Sequence, residues 1–184
     1  MDRRDIIVSR EVPDLVRERL RRTRPLPPSL DLDWQVEGRD GTGPKTEIPW
    51  VRVHDRALSP SATVGWYAVY LFNARGDPLY LSIGHGSTEW TGVDFRPRPV
   101  SELLDMTAWV RRVLTESSLS LTGFGPEIAL DARRSDLGHA YETGTVLAKV
   151  YQSGKLPDDE RCMPIFRTQS RHSPSSTSVK HQTR

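Results

Sequence analysis

The 184-residue sequence has one cysteine, four lysines and no long apolar run. Cys162 alone can form neither an internal disulfide nor a cysteine-rich zinc site, the pattern of a chain kept in a reducing compartment. No stretch approaches the roughly 20 apolar residues that cross a bilayer. The start, Met1-Asp2-Arg3-Arg4-Asp5, lacks the apolar core and cleavage site of a secretory signal. The expectation is a soluble, cytoplasmic protein with no membrane partner. Lysine is scarce because arginine supplies 22 of the 26 basic residues. Its planar fork suits bidentate contact with phosphate, although GC-rich coding also enriches arginine. The formal net charge of +2 is too small to point to any partner by itself.

Signatures of catalysis and of cofactors are missing as well. There is no Gly-x-x-x-x-Gly-Lys-Ser/Thr loop, and Gly84 and Gly86 do not open a helix at dinucleotide-binding spacing. A Gly-x-Ser-x-Gly elbow, a His-Glu-x-x-His helix and the paired cysteines of a zinc deaminase are all absent. Asp94, Asp131, Asp136 and Glu142 are scattered and read as surface carboxylates. His85, in Gly84-His85-Gly86-Ser87, sits where a histidine could touch a phosphate, but a plain turn is the simpler reading. The expectation is therefore no enzyme, no cofactor and no metal.

What is present suits one domain. About 150 residues bury roughly two thirds of their unfolded surface. Residues 10 to 22 read as an amphipathic helix with Val12, Leu15, Val16 and Leu20 on one stripe, ended by Pro25, Pro27 and Pro28. Beyond a glycine-rich turn from Gly38 to Gly43, three extended segments are expected at about 48–54, 66–73 and 79–84. Asn73-Ala74-Arg75-Gly76-Asp77-Pro78 has hairpin chemistry and makes the last two an antiparallel pair. In the first segment, strand alternation sends Val51 and Val53 to one face and puts Trp50 beside Arg52 and His54 on the other. In the second, Trp66, Ala68, Tyr70 and Phe72 alternate with Tyr67, Val69 and Leu71. Both sets are apolar or aromatic, the mark of a central strand covered on both faces.

Residues 99 to 115 carry Val100, Leu103, Leu104, Thr107, Val110 and Leu114 at helical spacing, a packing helix. Glu127–Asp131 and Thr145–Tyr151 are short strand candidates. From Arg161 to Arg184 there is no acidic residue, and the Ser/Thr-rich end is expected to be a disordered tail. The domain is thus expected over 1–160 and the tail over 161–184.

A spaced series of motifs runs through this domain: Gly41-x-Gly43, Ile48-Pro49-Trp50, Gly65-Trp66-Tyr67-x-Val69-Tyr70-Leu71-Phe72, Leu79-Tyr80-Leu81-Ser82-Ile83-Gly84, then Tyr141-Glu142-x-Gly144-Thr145-Val146-x-Ala148-Lys149-x-Tyr151 and Leu156-Pro157. In that order they resemble the bacterial McrB-like N-terminal domains, the DNA-recognition part of modified-cytosine-dependent restriction systems, over roughly residues 10 to 160. The resemblance implies an α+β single domain with a central, mainly antiparallel sheet flanked by helices. It also implies that duplex DNA is read by swinging a methylated cytosine into an aromatic pocket. Carried over, that pocket is Trp50, Tyr67 and Leu71. Where a family member has a further aromatic between the early glycines, this chain has Thr42. That change implies either a larger, more polar pocket for a bulkier or hydroxylated base, or loss of the pocket.

Base flipping costs a few kcal/mol, and stacking on aromatics returns about 1–3 kcal/mol per base. Phosphate contacts are the natural source of the balance, and Arg39, Lys45, Arg52, Arg56 and Arg75 lie in or beside the turns and strands around the expected pocket. The function expected is recognition of duplex DNA carrying methylated or hydroxymethylated cytosine, in restriction or phage defence, beside a separate nuclease or GTPase motor subunit. The alternative is a protein-interaction or regulatory domain that keeps the fold without the DNA pocket.

Overall fold

The computed structural model describes residues 2–22, 32–41, 45–117 and 119–154. Five strands form the main sheet: β1 (Trp34–Arg39), β2 (Trp50–Asp55), β3 (Trp66–Phe72), β4 (Leu79–His85) and β7 (Thr145–Tyr151), in the order β1-β2-β3-β4-β7. Every neighbouring pair is antiparallel. Strands β5 (Thr88–Trp90) and β6 (Phe95–Pro97) pair as a separate ribbon. Around the sheet lie α1 (Arg3–Ile6), a π-helical turn (Ile7–Glu11), α2 (Val12–Arg22), α3 (Val100–Glu116) and α4 (Leu137–Thr143). The α+β class and the antiparallel sheet are those expected. Thr42, Cys162 and the tail from Arg161 lie outside the described residues.

Strand alternation divides the sheet into two faces. On the first, Val36, Val51, Val53, Tyr70, Leu81 and Tyr151 pack against Val8 and Val16 of the N-terminal helical segment. Val51, Val53 and Leu81 are wholly buried, and each such side chain contributes roughly 1.5–3 kcal/mol. Tyr70 and Phe72 belong to this core, whereas Trp66, also expected there, is half-buried at the start of β3 against His85 and Trp109. A Cβ on Gly38 would stand 1.8 Å from the Val8 carbonyl oxygen. Glycine is what lets the helical segment lie so close to β1.

Several local expectations change. Leu15 is 70% exposed rather than on the packing stripe; the row facing the core is Val8, Val12, Val16 and Leu20. Pro13 has no N–H to return to the preceding turn, and its ring crowds that turn. The chain widens just before it into a π turn, with the Val12 N–H bonding the Ile7 carbonyl. Gly38 and Arg39 continue β1 instead of starting a turn. Residues 127–131 form no strand; the nearby bridge is Gly125 to Ala148. In α3 only Leu103 and Thr107 are buried. The helix packs on β7 and α4 at the sheet edge, which leaves Val100 and Leu104 exposed. Arg111 secures it there, its Nε donating to the Val146 carbonyl at 2.8 Å and Nη2 to that of Thr145 at 3.0 Å.

Candidate functional site

The second face of the sheet is only half covered. The segment before α4 seats Ile128 and Leu130 on Leu71, Tyr80 and Ile48, with Trp50, Tyr67 and Tyr141 packed around this cluster. Asn73 ties that segment down, donating to the Ala129 carbonyl at 2.8 Å and to Asp131 Oδ2 at 3.0 Å. Glu142 accepts the Leu130 N–H at 2.7 Å. What remains is an open cleft of about 920 Å³ over β2, β3 and β4, lined by Trp50, Arg52, Tyr67, Val69, Leu71 and Ser82 among others. Its volume lies within the ~300–1,000 Å³ of ordinary ligand clefts. The β1–β2 connection, residues 60–63, the β5–β6 ribbon and the start of α4 supply its walls.

Register explains the grouping. Trp50 is the direct partner of Leu71 and Arg52 of Val69, so the aromatic face of β2 and the Tyr67–Leu71 face of β3 are one surface. Arg52 is 2% exposed. Its Nε donates to Glu37 Oε1 at 3.0 Å and Nη1 to Ser59 Oγ at 3.2 Å, while the guanidinium lies 5.6 Å from the centre of the Tyr67 ring. A buried cation is tolerated when it is paired and hydrogen-bonded in this way. Arg52 is therefore part of the cleft floor, not of its outer rim. The Tyr67 hydroxyl donates to the Ala62 carbonyl at 2.8 Å. Burial, reinforced by Tyr141 and Glu37 against the pull of Arg52, pushes this phenol well above its ordinary range. Burial raises Tyr141 to about 12. Both rings are neutral donors at physiological pH.

Of the other residues expected to meet phosphate, Arg39 and Lys45 line the cleft, and Lys45 forms an ion pair with Asp2. Arg56 and Arg75 do not line it. Their side chains are 69% and 62% exposed and pair with Asp33 at 3.1 Å and Asp131 at 3.6 Å. Glu47 closes one wall by accepting the Arg133 and Arg134 N–H groups, both at 2.8 Å. These bonds, with Arg134 beside them, hold its carboxyl below the ordinary value of 4.5.

His85 ends β4 at the margin of the cleft, opposite Trp66 in the register of β3 and β4. Burial lowers its pKa, with Arg98 adding to that and the Gly86 carbonyl opposing it. Its Nδ1 lies 3.0 Å from that carbonyl, which assigns the proton there, and the ring meets Trp66 edge-on at 4.8 Å. It is a wall residue. Among the described residues, no group of three or more His, Cys, Asp or Glu is placed to hold a metal.

The family model described as MrcB-like, N-terminal domain matches residues 6–164, which spans every strand of the sheet and the whole cleft. The chain belongs to the MrcB-like N-terminal domain family. Membership supports a DNA-binding module, in a restriction-system setting, at the level of the family, whose N-terminal domain is a binding rather than a catalytic unit. No curated protein matches the chain. Among the described residues no helix is long and apolar enough to cross a membrane.

Within this MrcB-like domain, the cleft also contains residues that strand alternation does not mark. Glu37 enters because β1 pairs it with Arg52 of β2. Tyr141 belongs to one of the family motifs but stands far from the strands in sequence. Trp90 and Phe95 line the cleft as well. Their signal is a short one, two aromatics flanking Thr91-Gly92-Val93-Asp94, which is a hairpin sequence.

Proposed function

We propose that the cleft receives a single modified base, a methylated or hydroxymethylated cytosine, swung out of duplex DNA. The observation that carries this reading is the meeting of Trp50, Tyr67 and Leu71 in one open cleft. Trp50 is the stacking platform, and Tyr67 and Leu71 form the wall. Arg52 beneath the Tyr67 ring gives the floor a fixed positive charge. Arg39 and Lys45 at the cleft, with Arg56 and Arg75 on the exposed surface beyond it, contact the phosphates on either side of the extruded base.

Stacking supplies about 1–3 kcal/mol, and discrimination of one methyl group is worth about 1–3 kcal/mol. Binding by one such domain is then modest, and tight engagement comes from linkage to a separate nuclease or GTPase motor subunit. Such an assembly would act in restriction and phage defence. Titration of otherwise identical duplexes carrying cytosine, 5-methylcytosine or 5-hydroxymethylcytosine tests the proposal. A modified duplex should bind about 10- to 200-fold more tightly; equal affinities across the set reject base reading.

The exposed Leu104 and Trp109 of α3 favour a second reading, a protein-interaction domain that keeps the fold without the pocket. In that case Trp50→Ala leaves DNA binding unchanged.

A further inference from the structure

The β5–β6 ribbon carries an apolar cluster that the packing of the domain does not use. Trp90 is 55%, Val93 87% and Phe95 46% exposed. The two rings pack on each other, centroids 4.8 Å apart and planes at 55°. Between them the turn is tightly closed. The Thr91 N–H donates to the Asp94 carbonyl at 3.0 Å, the Thr91 hydroxyl to Asp94 Oδ1 at 2.7 Å, and Gly92 has φ 98°. Val93 is thereby held outward at the tip.

Strands of three residues give a ribbon no stability of its own, so something else must hold it. That anchor is Arg98, largely buried at the root. Its Nε donates to the Gly86 carbonyl at 2.8 Å, Nη2 to that of Thr63 at 3.1 Å and Nη1 to Glu102 at 2.9 Å. The root is fixed and the tip is bare. Trp90 and Phe95 also form part of the cleft wall, so the tip stands at the rim of the space proposed to hold the extruded base. Exposed side chains of this kind mark a contact surface.

We infer that the ribbon is a wedge: Val93, backed by Trp90 and Phe95, enters the base stack of duplex DNA and fills the place the extruded base leaves. The inference rests on the base-extrusion reading above. Apolar wedges of this sort offset lost stacking and keep the gap from closing. Arg96, beside the tip with its side chain 67% exposed, pairs with Asp94 Oδ1 at 3.3 Å, an exposed pair for which a flanking phosphate can compete.

The test uses Val93→Ser, at a position too exposed to affect folding. Two duplexes carry the modified cytosine opposite guanine or opposite an abasic site, each with 2-aminopurine beside the target. The second duplex lacks the orphaned guanine against which a wedge at the vacated place packs, so the contact of Val93 is largely missing there. Val93→Ser should bind the paired duplex about tenfold more weakly than wild type and dim its 2-aminopurine signal. On the abasic-opposed duplex it should stay within about twofold. Equal losses on both duplexes, or none on either, overturn the wedge and make the tip a plain contact or a site for a protein partner. A wild-type protein that raises no 2-aminopurine signal on any duplex removes base extrusion itself, and the wedge with it. A wild-type signal undiminished in Val93→Ser removes the wedge alone.

Discussion

The two faces of the five-stranded sheet are made by the same alternating strands and put to different use. One is sealed by aliphatic side chains from the N-terminal helical segment, with Val51, Val53 and Leu81 wholly buried. The other is half covered, and its buried set includes a cation, Arg52, and two hydroxyls, Ser82 and Thr145. Each of these polar groups is partnered: Arg52 by Glu37 and Ser59, and Ser82 by Thr145, which in turn donates to the Tyr141 carbonyl. Such an arrangement is not the most economical way to stabilise a sheet, since apolar residues of the same volume serve as well or better than a buried ion pair. The closed face is explained by stability. The open face fits the proposed reading, a cleft that receives a base.

Leu81→Ala should break the first half of this contrast. A wholly buried leucine on the closed face costs about 2–5 kcal/mol when truncated, read as a lower denaturant midpoint, with the ranking of modified and unmodified duplexes unchanged in the folded protein. Trp50→Ala should do the reverse, weakening binding to a modified duplex by about 1–3 kcal/mol while changing the midpoint far less. Arg52→Met sharpens the comparison further. Glu37 is 34% exposed and can rehydrate, so stability should change by no more than about 1 kcal/mol, while binding falls. A loss of stability as large as that of Leu81→Ala would instead make Arg52 a structural residue.

Acid should act through bonds outside the aliphatic core. Asp55 accepts the Leu58, Asp33 and Ala57 N–H groups and is held below its ordinary 3.8, and Glu47 is held below 4.5 by the Arg133 and Arg134 N–H groups. Because the unfolded chain takes up these protons first, the stabilisation is complete above those ordinary values. It is lost as pH falls through the lower folded ones. Glu47→Gln should flatten the decline in stability below about pH 4, a decline that Leu81→Ala retains. The smallest effects belong to the exposed cations. Arg56→Ala and Arg75→Ala should each reduce the slope of log affinity against log salt by about 1 without altering base preference; an unchanged slope removes them from the phosphate contacts.

Period-two alternation made β2, β3 and β4 legible, with boundaries off by one or two residues. It also showed that Trp50 shares a face with Arg52, and Tyr67 with Leu71. The spaced motifs carried the family. Legibility ended where contacts are distant in sequence. Leu15 fits the apolar stripe by spacing and is exposed, because the face that α2 buries is centred on Pro13 and Val16. Leu104 fits a packing helix and faces outward, because α3 lies at the sheet edge.

By itself, then, the sequence determined the local geometry of the central strands and the family, since alternation and motif order are properties of neighbouring residues. Only the tertiary structure decided that the two aromatic-bearing strand faces are one surface, through the pairing of Trp50 with Leu71. It also decided that Arg52 is buried in the floor, that Arg56 and Arg75 stand away from the cleft, and that Trp90 and Phe95 join its wall. Strand register, burial and the packing of one loop on another depend on the whole chain, and no short segment encodes them.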